Sequence, residues 1–336
     1  MDVKLPANIE LKNLFIDVHC IGKNPQGEGI LFVIRKNDYI LFSMIIDEGY
    51  DVELLKNENI DKFDYICWTH PHDDHSTGIK EIIENHTKKY SKVIVPNGIY
   101  DVRRKMTPKC KASYKPILEL NKNKKRRNGE YIEVNQYSHL LNNTFIDNKG
   151  NKIELEIKAI SPISRRVNNI RSNKIVNMND LSITLIIRVN DVGFLFTSDI
   201  YNNVINDMDI TKELFNNVVY CKIPHHGSNY SDNILNYLPK NEGNKIAVTT
   251  IYKNNGEDTT PKKELINEYQ KRNYRVYCTS ESYINNIQSN IKNGIVSVRV
   301  KLENNGSDSS LRWDVKFTGE AIEIPKIREE KNILLI

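Results

Sequence analysis

Three of the chain's eight histidines fall within six residues, at His70, His72 and His75, and an acid, Asp74, stands directly before the last of them. The stretch follows the apolar run Tyr65-Ile66-Cys67-Trp68, which reads as a buried strand. In extended backbone alternate residues share a face, so His-x-His at a strand end lets two imidazoles converge on one point. Imidazole and carboxylate are the usual ligands of zinc, and a site with an open position activates water. A loop of this kind needs a rigid scaffold that brings further ligands to it.

At 336 residues, 39% of them hydrophobic, the chain can bury a sizeable core in one large domain or two ordinary ones. The formal net charge is +5; so mild an excess does not identify a nucleic-acid partner, and the distribution of charge has to decide. The five cysteines, Cys20, Cys67, Cys110, Cys221 and Cys278, are odd in number, scattered and without a Cys-x-x-Cys pair. That argues against a disulfide framework and for a reducing compartment. The first ten residues hold no apolar core of signal-peptide length. No run approaches the roughly 20 apolar residues that cross a bilayer. The expectation is a soluble, cytoplasmic protein without a membrane partner.

Along the chain, 14–21, 30–35 and 39–47 read as strands, the last two joined by a hairpin at Lys36-Asn37-Asp38. A short helix over 51–59 leads to the strand 63–68 and the histidine loop. A helix from 79 to 86 and a strand over 92–95 follow. Residues 101–127 are basic and predict a helix and then an exposed loop. Strands are expected over 131–134 and 152–160, a polar flexible loop over 164–178, and a strand pair over 181–189 and 192–197. The second of these delivers Ser198-Asp199. A helix over 201–215 precedes the strand 218–223, which ends in Pro224-His225-His226-Gly227-Ser228. Helices over 233–238 and 262–272 alternate with strands over 245–251, 275–279 and 294–302, and the tail from 312 adds one or two strands. With no linker and no short repeat, the chain reads as one domain over 1–336, with a core at about 13–302 and a tail at about 303–336: an α+β fold of two stacked sheets flanked by helices.

Four strand ends thus carry the chemistry: Asp47; His70, His72, Asp74 and His75; Asp199; and His225 with His226. Loops at one edge of a sheet scaffold are a common place for a site. Blander readings stand beside the functional ones. Asp199 could cap a helix that starts near 201, and Asp47 could be a turn former. His226 reads as structural rather than ligating. His19, Cys67 and Cys221 read as core residues. The basic stretches supply Arg103, Arg104, Lys105, Lys124, Lys125, Arg126 and Arg127, and then Arg165 and Arg166; a phosphate-binding patch and a solvated surface are both open for them.

The pattern resembles the metallo-β-lactamase-fold hydrolases, and within them the hydrolase domain of ComEC-type DNA-uptake proteins. The resemblance spans about residues 13–300. It rests on Gln26-Gly27-Glu28-Gly29, Ile46-Asp47-Glu48-Gly49, the His70–His75 motif, Asn179-Asp180-Leu181-Ser182, Thr197-Ser198-Asp199 and Pro224-His225-His226-Gly227-Ser228. It implies a metallo-β-lactamase-like αββα sandwich with two divalent ions, Zn²⁺ or Mn²⁺, at its edge. His70 and His72 would bind one ion, and Asp74, His75 and His225 the second, with Asp199 bridging. Asp47 would orient the histidine loop, and His226 and Ser228 would touch substrate or hold their own loop. Asp74 and Asp199 would be the catalytic acids, orienting a metal-bridging hydroxide, with Asp74 passing a proton to the leaving group. The family adds a further histidine to the first ion. Here only His86 and His139 lie in the right interval, and Asn97, after a strand, is a weak substitute. Where relatives carry His-Pro near the end, this chain has Thr260-Pro261.

The resemblance implies a phosphodiesterase, a nuclease acting on DNA, compatible with bacterial defence against phage and with partner proteins of the same operon that the sequence does not name. Two further readings stay open: a hydrolase of a small nucleotide, lactone or thioester, and a non-catalytic module with a degenerate site.

Overall fold

Several strands near the histidine motifs are mainly apolar and do not alternate with an exposed face: Phe63–Cys67, Leu185–Val189, Val192–Phe196 and Lys245–Thr249 are buried or nearly so along their whole length. A strand with no polar face needs cover on both sides, and layered sheets with helices outside provide it. The computed structural model describes residues 1–23, 27–47, 51–122, 129–172, 177–240, 245–254, 257–281, 294–305 and 308–326. It is α+β, with two mixed β-sheets flanked by helices.

The first sheet has nine strands in the order Asp2–Lys4, Ser138–Ile146, Lys152–Ala159, Leu185–Val189, Val192–Phe196, Val218–Lys222, Lys245–Thr249, Tyr274–Cys278 and Ile322–Glu323. The second has eight, in the order Asp308–Gly319, Gly294–Asn305, Leu14–Lys23, Gly27–Lys36, Tyr39–Asp47, Phe63–Cys67, Thr87–Pro96 and Glu130–Val134. Their inner faces share one core. Phe32 of the second sheet meets Phe194 and Phe196 of the first edge-on, with centroids 5.4 and 5.9 Å apart. The outer face of the second sheet packs on Ile79–His86, Pro108–Lys122 and Ser164–Arg171; that of the first packs on Asn202–Asp207 and Lys263–Lys271.

Parallel pairing explains why the chemistry gathers at one edge. Tyr39–Asp47 runs parallel to Phe63–Cys67, with Ile46 opposite Cys67. Val192–Phe196, Val218–Lys222 and Lys245–Thr249 are parallel neighbours in the other sheet. Parallel strands present their carboxyl ends together, where open α/β sheets bind ligands. Asp47, the His70 loop, Asp199, the His225 loop and Thr250 all follow such ends.

Local structure departs from the sequence expectation in several places. The segment 164–178 holds the helix Ser164–Arg171 rather than a loop, because Val167 and Ile170 bury one turn apart beneath the outer layer. The expected helix over 201–215 is split into Asn202–Asp207 and a 3₁₀ turn at Lys212–Phe215, and that over 233–238 is a 3₁₀ segment, Asn229–Asn236. Ser138–Ile146, between the expected strands 131–134 and 152–160, is a further strand, paired along Lys152–Ala159. Much of the tail belongs to the sheets, since Asp308–Gly319 pairs along the full length of Gly294–Asn305. All five cysteines are free and buried. Among the described residues no helix is long and apolar enough to cross a membrane.

Candidate metal centre

The loop after Phe63–Cys67 is held by its neighbours before any ion is considered. Asp47 Oδ1 accepts from the Thr69 backbone N–H at 2.7 Å, and its Oδ2 accepts from Thr69 Oγ1 at 2.6 Å. The same Oδ2 lies 2.8 Å from His75 Nδ1. Ser198 Oγ, next to Asp199, donates to Thr69 Oγ1 at 2.7 Å and ties the two sheets together at this point.

Among the described residues, two of the three groups of donors whose atoms lie within 4.8 Å of one another face the pocket side of this loop and share an acid. One is Asp74, His75, Asp199 and His226; the other is His70, His72 and Asp199. Asp199 is common to both. In the first, Asp199 Oδ2 is 3.4 Å from His75 Nε2 and 3.6 Å from His226 Nε2, and Asp74 Oδ2 is 3.2 Å from His226 Nε2. In the second, His70 Nε2 and His72 Nδ1 are 3.0 Å apart. All but His72 are buried.

The backbone is bent to achieve this. Of the eleven non-glycine residues with positive φ among the described residues, six are asparagines, which tolerate it. Four of the other five are Asp47, Ser198, His225 and His226. Left-handed backbone costs an L residue about 1 kcal/mol or more, and such strain concentrates at sites that the surrounding structure over-determines.

Electrostatics fit a cation. Burial raises Asp47 against the opposing pull of His75 and Thr69. Burial also opposes charge on Asp199, but His226 and His75 outweigh it and hold the carboxyl well below its ordinary value. Asp74 is lowered in the same way, chiefly by His75 and His226 acting against burial. Burial lowers His70, His72 and His225, leaving neutral rings with lone pairs to offer. His75 is the reverse: burial would lower it, yet Asp74, Asp199 and Asp47 raise it well above the usual imidazole value. With Nδ1 on Asp47, its buried Nε2 has no hydrogen-bond partner, and neither has Asp199 Oδ1. A divalent ion would satisfy both.

His225 was expected among the ligands and His226 outside them; the structure puts His226 in the donor group. Both take positive φ, 48° and 52°. That turn sends His226 inward to Thr250 and Asp74. His225 faces the pocket mouth, edge-on to the Tyr201 ring at 4.7 Å, with Nε2 3.9 Å from Asp199 Oδ2. Asn97 is no substitute ligand: its Oδ1 accepts from Arg171 at 2.6 Å. His86 lies against Phe63 and the Asp61 carbonyl, and His139 is exposed near Glu156, so neither joins the cluster. Ser228 caps the segment Asn229–Asn236 and lines the pocket.

The basic candidates divide. Arg166 is engaged by Asp207 at 2.6 Å, which takes it out of a free phosphate-binding patch. Arg165 is exposed and 3.8 Å from the same acid. Arg104 and Lys105 are exposed, and Arg103 stacks on Tyr100. Gln26, Glu48, Gly49, Lys124, Lys125, Arg126 and Arg127 lie outside the described residues.

An open pocket of about 560 Å³ lies over the cluster. Sequence reasoning missed Tyr201, Tyr230, Tyr252, Thr107 and Lys262 on its wall, because they come from segments with no motif. It also missed Glu28 and Lys222 behind the centre as functional groups. A charged residue ending the otherwise apolar strand Val218–Lys222 was the available signal. No protein-family model matches the chain, and no curated protein matches it.

Proposed function

We propose that this chain is a divalent-metal-dependent hydrolase of the metallo-β-lactamase-like kind, and that its substrate is a phosphodiester, DNA. The observation that carries the reading is the convergence of two buried donor groups on one acid, Asp199, beneath an open pocket.

When bound, divalent ions supply Lewis acidity at the reacting phosphorus and bring the pKa of a water towards neutrality. The chain's own groups do the rest. His70, His72 and Asp199 would hold one ion, and Asp74, His75, Asp199 and His226 the other. Asp47 takes the Nδ1 hydrogen of His75 and leaves Nε2 free to ligate. The Asp74 side chain is 11% exposed and that of Asp199 3%. Both carboxyls are held below their ordinary value, so Asp74, the more exposed of the two, would take a proton from the attacking water before passing it to the leaving oxygen. His225, Ser228 and Lys262 line the wall against substrate. Arg103, Arg104 and Lys105 precede Thr107 at the pocket and would attract a phosphate backbone, with a salt-sensitive affinity.

One observation favours a second reading. A pocket of about 560 Å³ suits a small molecule, so a small nucleotide, lactone or thioester is the alternative substrate. The test is a cleavage assay with Mn²⁺ or Zn²⁺ at low salt, on single- and double-stranded DNA and on bis-p-nitrophenyl phosphate. DNA cleavage supports the first reading. Hydrolysis of the small ester alone supports the second. Turnover of none of them removes the phosphodiesterase proposal.

A further inference from the structure

Behind the candidate centre lies a charged pair that the proposed chemistry does not use. Lys222 is fully buried at the end of its strand. Its Nζ lies 2.7 Å from Glu28 Oε2 and donates to the Ile223 carbonyl at 3.1 Å. The same Glu28 oxygen accepts from Thr250 Oγ1 at 2.6 Å. Thr250 Oγ1 is in turn 2.8 Å from His226 Nδ1. Glu28 and Thr250 are themselves buried. Burying a charged pair is costly, and an apolar residue would fill the strand more cheaply. The pair therefore calls for an explanation beyond packing.

The direction of each hydrogen bond follows from the donor inventory. An ammonium only donates, and the carboxylate beside it only accepts. The single hydroxyl hydrogen of Thr250 therefore goes to Glu28. The Thr250 oxygen has only lone pairs left, so His226 Nδ1 must carry the hydrogen. With its hydrogen on Nδ1, the ring turns Nε2 towards Asp74 Oδ2 at 3.2 Å and Asp199 Oδ2 at 3.6 Å. Two carboxylate oxygens there call for positive charge at Nε2: a second ring proton when no ion is bound, and a divalent ion in its place when one is.

Glu28 also belongs to a third tight group of donors, with Asp47 and His75. There Lys222 already neutralises Glu28, so the chain supplies its own cation in that group.

We propose that Lys222, acting through Glu28 and Thr250, is a positioning residue that fixes His226 in its Nδ1–H tautomer and so makes Nε2 a ligand for a divalent ion. The proposal rests on the metal-binding reading above, but not on the substrate.

Calorimetric titration of the full chain with Zn²⁺ tests it. Thr250→Val keeps the shape and removes both hydrogen bonds, whereas Thr250→Ser keeps the hydroxyl. The Zn²⁺ Kd should rise about 10- to 100-fold in Thr250→Val and stay near wild type in Thr250→Ser. Lys222→Met should weaken Zn²⁺ similarly; if it does not fold, Thr250→Val decides. Nitrogen NMR of the Zn²⁺-loaded wild type should place the His226 hydrogen on Nδ1. A folded Thr250→Val with wild-type Kd, or a hydrogen on Nε2, overturns the proposal alone. A wild type that binds no Zn²⁺ overturns it together with the metal-binding reading.

Discussion

His226 Nε2 lies 3.2 Å from Asp74 Oδ2, although 152 residues separate them in the chain. The first comes from the nine-stranded sheet and the second from the loop after a strand of the eight-stranded one. Metal binding should therefore depend on His226 more than on His225, whose Nε2 is 3.9 Å from Asp199 and which faces the pocket. His226→Ala should weaken Zn²⁺ at least about 100-fold, since even partners behind a ligand are worth 10- to 100-fold. His225→Ala should keep most of the affinity and lose turnover. The reverse order in a titration would return His225 to the ligand set.

Chelation should destabilise the fold. Asp74 and Asp199 are two buried acids close to the same imidazoles. An ion bound only by the folded chain, at 100 times its Kd, contributes about 2.7 kcal/mol. For a protein of this size that corresponds to roughly 4 °C in Tm. Thermal scans with and without EDTA measure it, and identical melting curves would count against a resident ion.

Acid should weaken the fold through His19, far from the centre. Its Nδ1 is 2.8 Å from Ser297 Oγ, and its Nε2 is 3.6 Å from Glu58. Burial lowers its pKa, with Glu58 and Asp17 opposing. The unfolded chain therefore takes up a proton at a pH, about 6.5, where the folded chain does not. This residue's contribution is full above that pH and is lost as pH falls below it. Urea unfolding of wild type and His19→Gln at about pH 8 and pH 5.5 reads the difference. Wild type should lose more stability on acidification; an equal loss in both would refute the assignment.

Gly227 should tolerate no side chain. Its φ is +83°, and a Cβ there would overlap Pro261. Gly227→Ala combines left-handed strain of about 1 kcal/mol or more with that clash. The loop that carries His225 and His226 must shift. The expected outcome is a folded protein by circular dichroism with Zn²⁺ affinity reduced at least about tenfold. Wild-type affinity would mean that the loop adapts without moving His226.

The sequence alone determined the layers and most of the donors. Unbroken apolar strands can be satisfied only with cover on both faces, and His-x-His-x-Asp-His at a strand end sets His70, His72, Asp74 and His75 within a few residues. Asp199 was legible for the same reason, because it follows the apolar strand Val192–Phe196. The choice between His225 and His226 was not, since backbone dihedrals that no residue type enforces decide which ring turns inward. Glu28, Thr250 and Lys222 became a unit only when strands from both sheets met, with 222 residues between Glu28 and Thr250. Ser164–Arg171 is a helix because its two apolar residues find a layer to bury against. Local sequence fixes what a segment can bury or bind within a few residues; which distant group meets it depends on strand order, and that is settled only by packing the whole chain.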